Sequence, residues 1–212
     1  MISNTVENED NKIKISPTED LMREHGVLHR ILLIYKDTLK YLKGQKITYK
    51  VNIYSVIYDA AIISQQFIEN YHQKLEEKYV FPKFSKNLKY SILINTLLSQ
   101  HSAAQKLTNN ILYYLSAKDV CSYENKLQLI RLLSLYINMY EPHSAREDTV
   151  VFPAFHELVN LEEFKKLGDR FEEIEEQKFG KNGFKHIVNK IAKIENVLSI
   201  YNLAQYTPIV SL

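Results

Sequence analysis

The chain has 212 residues with only 5 Gly and 5 Pro, well under the roughly 12% that average usage would give the two together. All-β and loop-rich folds need those residues at their turns, so their scarcity favours long helices. With 45% hydrophobic and 25% charged residues and a formal charge of +2, the composition is that of a globular protein. It has no basic block to grip a phosphate backbone, which excludes nucleic acid as an expected partner.

The first fifteen residues read as a flexible polar tail, without the basic start and apolar stretch of a signal peptide. Ser16, Pro17 and Glu19 then form a helix start, as cap, first helical residue and capping-box partner. The helix they open carries Leu21, Leu28, Leu32, Tyr35, Leu39 and Leu42 on one face and stops at Gly44. A second helix starts from Asn52 and runs to Phe81 and Pro82. A third covers Leu88 to Ser116, and a fourth Ser122 to about Phe152 and Pro153. Their length and short connections predict an all-α, antiparallel up-down-up-down four-helix bundle over residues 16–158. Residues 159–212 are expected to add a C-terminal helical appendage and tail: a charged helix from Leu161 to Gln177, separators at Gly180 and Gly183, and an amphipathic helix ending near Tyr201. No apolar run approaches the roughly 20 residues of a membrane span. Cys121 is the only cysteine, so neither an internal disulfide nor a cysteine-held cluster is expected, and a reducing cytoplasm is the expected location.

The most informative feature is an internal repeat. His72, Glu76, Glu77, Val80, Phe81, Pro82 and Phe84 recur as His143, Glu147, Asp148, Val151, Phe152, Pro153 and Phe155, at a constant offset of 71 residues. Each copy opens with a histidine and a glutamate four residues apart, on one face of a helix. An imidazole nitrogen and a carboxylate oxygen presented together suit a borderline or hard divalent metal. The first helix supplies His25 and the third His101. In an antiparallel bundle these lie level with His72 and His143, near the end where the second helix connects to the third. His25, His72, Glu76, His101, His143 and Glu147 are therefore the expected metal ligands. A lone histidine on an apolar face is more often a bonded core residue, and a single helical His/Glu pair is equally well explained as an ion pair. Two copies at a fixed offset outweigh that reading, because six inward polar groups without a metal would cost the core several kcal/mol.

His29, one turn beyond His25, is either a fifth ligand or a hydrogen-bonding neighbour. Glu69 precedes His72 by the three residues typical of ferritin-like diiron proteins, but that spacing has no counterpart before His143, where Tyr140 stands. It is expected beside the site or on the surface. Glu77 and Asp148 are read as solvated or supporting charges, and His156 and His186 as surface residues. Tyr71, Tyr79 and Tyr140 are candidates to donate to a bound oxygen ligand, with core packing as the simpler role. Two helix breakers, Gly26 and Pro142, sit beside proposed ligands, and Pro142 is expected to kink its helix.

Glu24 with His25, His72 with Glu76, Gln100 with His101, and His143 with Glu147, together with the two Phe-Pro pairs, resemble the hemerythrin-like family of HHE cation-binding domains over about residues 17–156. The resemblance implies two iron ions joined by an oxo or hydroxo bridge, with Glu76 and Glu147 as bridging carboxylates. It implies a protein that binds, senses or reduces a small oxidant: O₂, peroxide or nitric oxide. The two His/Glu elements depart from the five-histidine pattern of oxygen-carrying hemerythrins and look more like the branch that includes iron–sulfur repair proteins. A stress-defence enzyme turning over peroxide or nitric oxide, and a metal-storing bundle without turnover, are the alternatives.

Overall fold

A computed structural model describes residues 15–45 and 51–210, and the expected N-terminal tail falls, up to residue 14, outside them. The regular structure of the described residues is all helical, with no strand among them. Helix α1 (Pro17–Leu42) is capped by Ser16, whose side chain accepts the Glu19 N–H at 3.2 Å. It ends at Gly44, whose φ of 76° is left-handed backbone that glycine adopts without cost.

The second rod begins as α2 (Ile53–Ile63), capped by Asn52. It continues unbroken through a π-helical stretch, π1 (Ser64–His72), a single turn α3 (Gln73–Leu75), a second π stretch, π2 (Glu76–Val80), and a 3₁₀ turn, Phe81–Phe84. Helix α4 (Leu88–Leu115) follows. Helix α5 (Tyr123–Arg146) runs through Pro142 without ending, then widens into π3 (Glu147–Val151) and closes as α6 (Phe152–Leu158). The fourth rod thus extends past Pro153, beyond the expected stop, because proline at the second position of a new helical turn lacks only an N–H that needs no partner there.

The expected helix limits are otherwise met within a few residues. The π stretches were not expected. π2 and π3 occupy equivalent places in the repeat, and in each the residue before the proline donates its N–H to the carbonyl of the repeat's glutamate: Phe81 to Glu76 and Phe152 to Glu147. A proline ring clashes with the carbonyl four residues back. Widening the turn to the π pattern relieves that clash without breaking the rod, and such bulges concentrate at functional sites.

Helix α1 packs on α2 and α5, and α4 packs on α2 and α5, around one hydrophobic core. Leu21, Leu28, Ile31, Ile57, Phe67, Leu129, Leu133 and Phe155 are fully buried within it. The C-terminal helices α7 (Leu161–Phe179) and α8 (Gly183–Val197) lie against α1, and α8 also reaches α2. Phe171 and Ile191 are completely buried, and Arg30 of α1 pairs with Glu195 at 2.5 Å. Helices α7 and α8 share the one hydrophobic core with the other helices. α8 ends at Val197, short of the expected Tyr201, and an exposed 3₁₀ turn (Leu203–Tyr206) leads to the tail. No helix among the described residues is long and apolar enough to cross a membrane.

Candidate metal centre

All six expected ligands come together inside the four rods, in two triplets. His25, His72 and Glu76 offer ligand atoms within 4.8 Å of one another, as do His101, His143 and Glu147. Each of the six is at most 3% exposed. The triplets adjoin. His25 Nε2 lies 3.0 Å from His72 Nε2 and 3.3 Å from Glu147 Oε2. His101 Nε2 lies 3.4 Å from Glu76 Oε2 and 3.9 Å from Glu147 Oε1, and His143 Nε2 lies 3.1 Å from Glu147 Oε2. Each glutamate thus reaches histidines of both triplets.

Every histidine is held from behind. His25 Nδ1 is 2.7 Å from Asp148 Oδ1, His72 Nδ1 is 2.7 Å from Glu24 Oε2, His101 Nδ1 is 3.1 Å from Glu77 Oε1, and His143 Nδ1 is 2.8 Å from Gln100 Oε1. Carboxylate and amide oxygens are acceptors, so each Nδ1–H donates outward and each Nε2 faces the centre. The pattern crosses between rods: a residue of α1 holds the histidine of the second rod, and a residue of α4 holds that of the fourth. Glu77 and Asp148, read from sequence only as charges near the ligands, complete the ring. Phe152 stacks on His25 with ring centroids 5.6 Å apart, and Phe81 lies against His101 at 5.5 Å. The Phe-Pro part of the repeat therefore wedges the histidines of the neighbouring rods.

The charges of this pocket are poorly satisfied by protein alone. Neither carboxylate oxygen of Glu76 or of Glu147 has a hydrogen bond of acceptable geometry, nor does His101 Nε2. Burial and then the negative charge of Glu147 push the Glu76 carboxyl far above the usual range. Burial acts upward on Glu147 too, but the adjacent His143 and His25 outweigh it and hold that carboxyl far below. Burial works against a charged His25, yet contacts with Asp148 and Glu147 overcome it and raise the imidazole to about 9. His72 is driven well below its ordinary value by burial and by the charge of His25. Protons thus occupy positions where a cation could bind. Buried, unpartnered carboxylates of this kind are expensive, and a metal ion between them would satisfy the imidazole nitrogens and carboxylate oxygens together.

The remaining candidates lie outside both triplets, although the Tyr140 ring meets His143 edge-on with centroids 5.4 Å apart. His29 is exposed, and its Nε2–H donates to Ser144 Oγ at 2.9 Å, outside both triplets. Glu69 is buried, not on the surface, and accepts from Thr108 and Ser64. Ser64 in turn contacts Tyr136. Tyr140 is buried and its hydroxyl accepts from Gln73 at 2.7 Å. Tyr79 packs against Phe171, and Tyr71 lies between Phe67 and Phe179. His156 and His186 are exposed as expected. Gly26 faces open space, with nothing within 4 Å of a β-carbon placed there, so it has no packing role at the centre.

No family model and no solved structure matches the chain. Uncharacterized proteins from two strains of Mycobacterium tuberculosis and from Mycobacterium bovis are each 39% identical to it over 199 residues, an alignment spanning 94% of this chain and 76% of theirs. At that identity and coverage, the chain belongs to the same family as these uncharacterized mycobacterial proteins.

Proposed function

We propose that the protein is a hemerythrin-like antiparallel four-helix bundle that holds two iron ions and binds, senses or reduces a small oxidant such as O₂, peroxide or nitric oxide. The reading is carried by one observation: four imidazoles, each fixed through Nδ1, turn Nε2 toward two buried glutamates whose oxygens have no hydrogen-bond partner. His25 and His72 would hold one ion, and His101 and His143 the other. Glu76 and Glu147, each reaching histidines of both triplets, would join the two. Mixed imidazole and carboxylate donors in a bundle core suit iron, and two such ions supply reversible electron transfer to a small ligand.

The chain's own part is positional. Asp148, Glu24, Glu77 and Gln100 fix which imidazole nitrogen faces inward. Phe81 and Phe152, at most 4% exposed, limit water near the centre. Two histidines and two shared carboxylates leave each ion short of six donors, which leaves space for an added ligand.

Metal analysis with optical spectroscopy tests this. Two irons per chain and a near-ultraviolet band that changes on adding peroxide or nitric oxide are expected. Purified protein without stoichiometric iron, or with Glu147→Ala still holding two metals per chain, would overturn the assignment.

A further inference from the structure

Outside the six-residue centre, on the side where α1 meets α7, three carboxylates converge. Asp20, Glu24 and Glu175 each offer an oxygen within 4.8 Å of the others. A cluster of acids alone would be unremarkable, but here a fully buried carboxylate, Glu24, faces the buried Tyr71 hydroxyl, and neither the Glu24 Oε1 nor that hydroxyl has a hydrogen bond of good geometry. Glu24 is fully buried; its Oε2 accepts the His72 Nδ1–H, while its Oε1 has no hydrogen bond. The Tyr71 hydroxyl, on a side chain 1% exposed, lies in the field of all three acids and also lacks a hydrogen bond of acceptable geometry.

One cation is near. Arg23 reaches Asp20 at 3.3 Å, but its side chain is 37% exposed and its guanidinium lies over the Phe184 ring at 4.3 Å. Glu175 Oε1 accepts the Phe184 N–H at 2.8 Å, which fixes the third carboxylate. Exposure falls along the cluster, from Asp20, whose side chain is 13% exposed, to Glu24, which has none.

We propose that Asp20, Glu24 and Glu175 form a third cation site, for an oxygen-seeking divalent ion such as Mn²⁺ or Fe²⁺, that passes metal from solvent to the dinuclear centre. Three carboxylates with no sulfur or imidazole donor favour oxygen-seeking cations. Glu24 gives the connection, since it belongs to the acid cluster while its Oε2 holds His72. Burial, then the charge of Glu175, raises the Asp20 carboxyl to about 6 despite the opposing charge of Arg23, so this one exposed cation does not neutralise the three acids. The relay role rests on the dinuclear reading above; the site itself does not.

Terbium(III) is a suitable probe for the site, since it seeks oxygen donors and the chain has no tryptophan, so emission must be sensitised by tyrosine. With full-length protein already loaded with iron, one equivalent should bind, and the double variant Asp20→Asn, Glu175→Gln should bind it at least tenfold more weakly. Tyr71→Phe should keep the stoichiometry and dim the emission. Circular dichroism checks the fold, and Asp20→Asn alone serves if the double variant is unstable. Initial iron uptake by metal-free protein should slow severalfold in the double variant, with the same final two irons per chain. Unchanged terbium affinity would overturn the site, and an unchanged uptake rate would overturn the relay. If the chain takes up no iron while terbium binding still depends on Asp20 and Glu175, the dinuclear reading and the relay fail and the cation site stands.

Discussion

Asp148 is the most direct test of how the centre is held. Its Oδ1 accepts the His25 Nδ1–H at 2.7 Å while its side chain remains 27% exposed, so replacing it disturbs little else. Loss of such a support beneath a metal-bound histidine costs about 10- to 100-fold in affinity, or ~1.4–2.7 kcal/mol. Asp148→Ala should lie near the upper limit, because it leaves a buried N–H unpaired and frees the ring to turn. Asp148→Asn keeps an acceptor and loses only the charge, whose effect is moderated by solvent. It also reproduces the chemistry by which Gln100 already holds His143. It should fall at tenfold or less. Chelator competition at fixed pH gives both constants, with circular dichroism as the folding control. If Asp148→Ala held metal as tightly as the unaltered protein, outward anchoring of the histidines would have no part in binding.

Further outcomes follow from the same geometry. Metal supplied at 100 times its Kd should stabilise the fold by ~2.7 kcal/mol, which for a chain of this size raises Tm by about 5–11 °C; Glu147→Ala should remove the shift seen in thermal melts. In metal-free protein, His25 titrates near 9 when folded against about 6.5 unfolded. Its contribution to stability is therefore present in full below about 6.5 and lost as pH rises through 9. Denaturant midpoints should fall over that interval in unaltered protein and fall less in His25→Asn, and a flat profile would contradict the charged state assigned to His25. Gly26→Ala should stabilise by about 1 kcal/mol in urea titrations, since the site is inside α1 and open around the missing β-carbon.

The helices were legible because their punctuation is local. Ser16 and Asn52 cap as their side chains dictate, and Gly44 stops α1 where a left-handed residue is needed. The six residues of the centre were legible for a different reason: a repeat fixes both the spacing within each rod and the equivalence between rods. The π stretches were hidden because one extra residue per turn over five to nine residues barely shifts an apolar periodicity. Pro82 and Pro153, just after π2 and π3, were nevertheless a signal of them. The supports beneath the histidines were only half legible. Glu77 and Asp148 follow the ligands directly in sequence, and a neighbour on the same helix points about 100° away. Only the packing of the adjacent rods turns that direction into contact with His101 and His25. Gly26 misled because adjacency in sequence to His25 says nothing about which side of the helix it occupies.

The duplication is broken at one informative place. Glu24 and Gln100 each precede the histidine of their own helix and each accept the Nδ1–H of the next rod's histidine, at 2.7 and 2.8 Å. One is a carboxylate and the other a neutral amide. A charged acceptor makes the shorter and stronger hydrogen bond and leaves the imidazole more basic at the opposite nitrogen. His25 and His72 therefore both stand on carboxylates, whereas of His101 and His143 only the first does, at the longer distance of 3.1 Å. At a pH high enough for His25 to give up its proton, the two halves of the centre should consequently fill in order, with His25, His72 and Glu76 taking the first metal and His101, His143 and Glu147 the second. A titration of metal-free protein should show two steps, and Gln100→Glu should draw the second toward the first by up to about tenfold. Two steps spaced identically in that variant would mean that the amide supports His143 as well as a carboxylate does, and that the order of filling is set by the glutamates of the centre themselves.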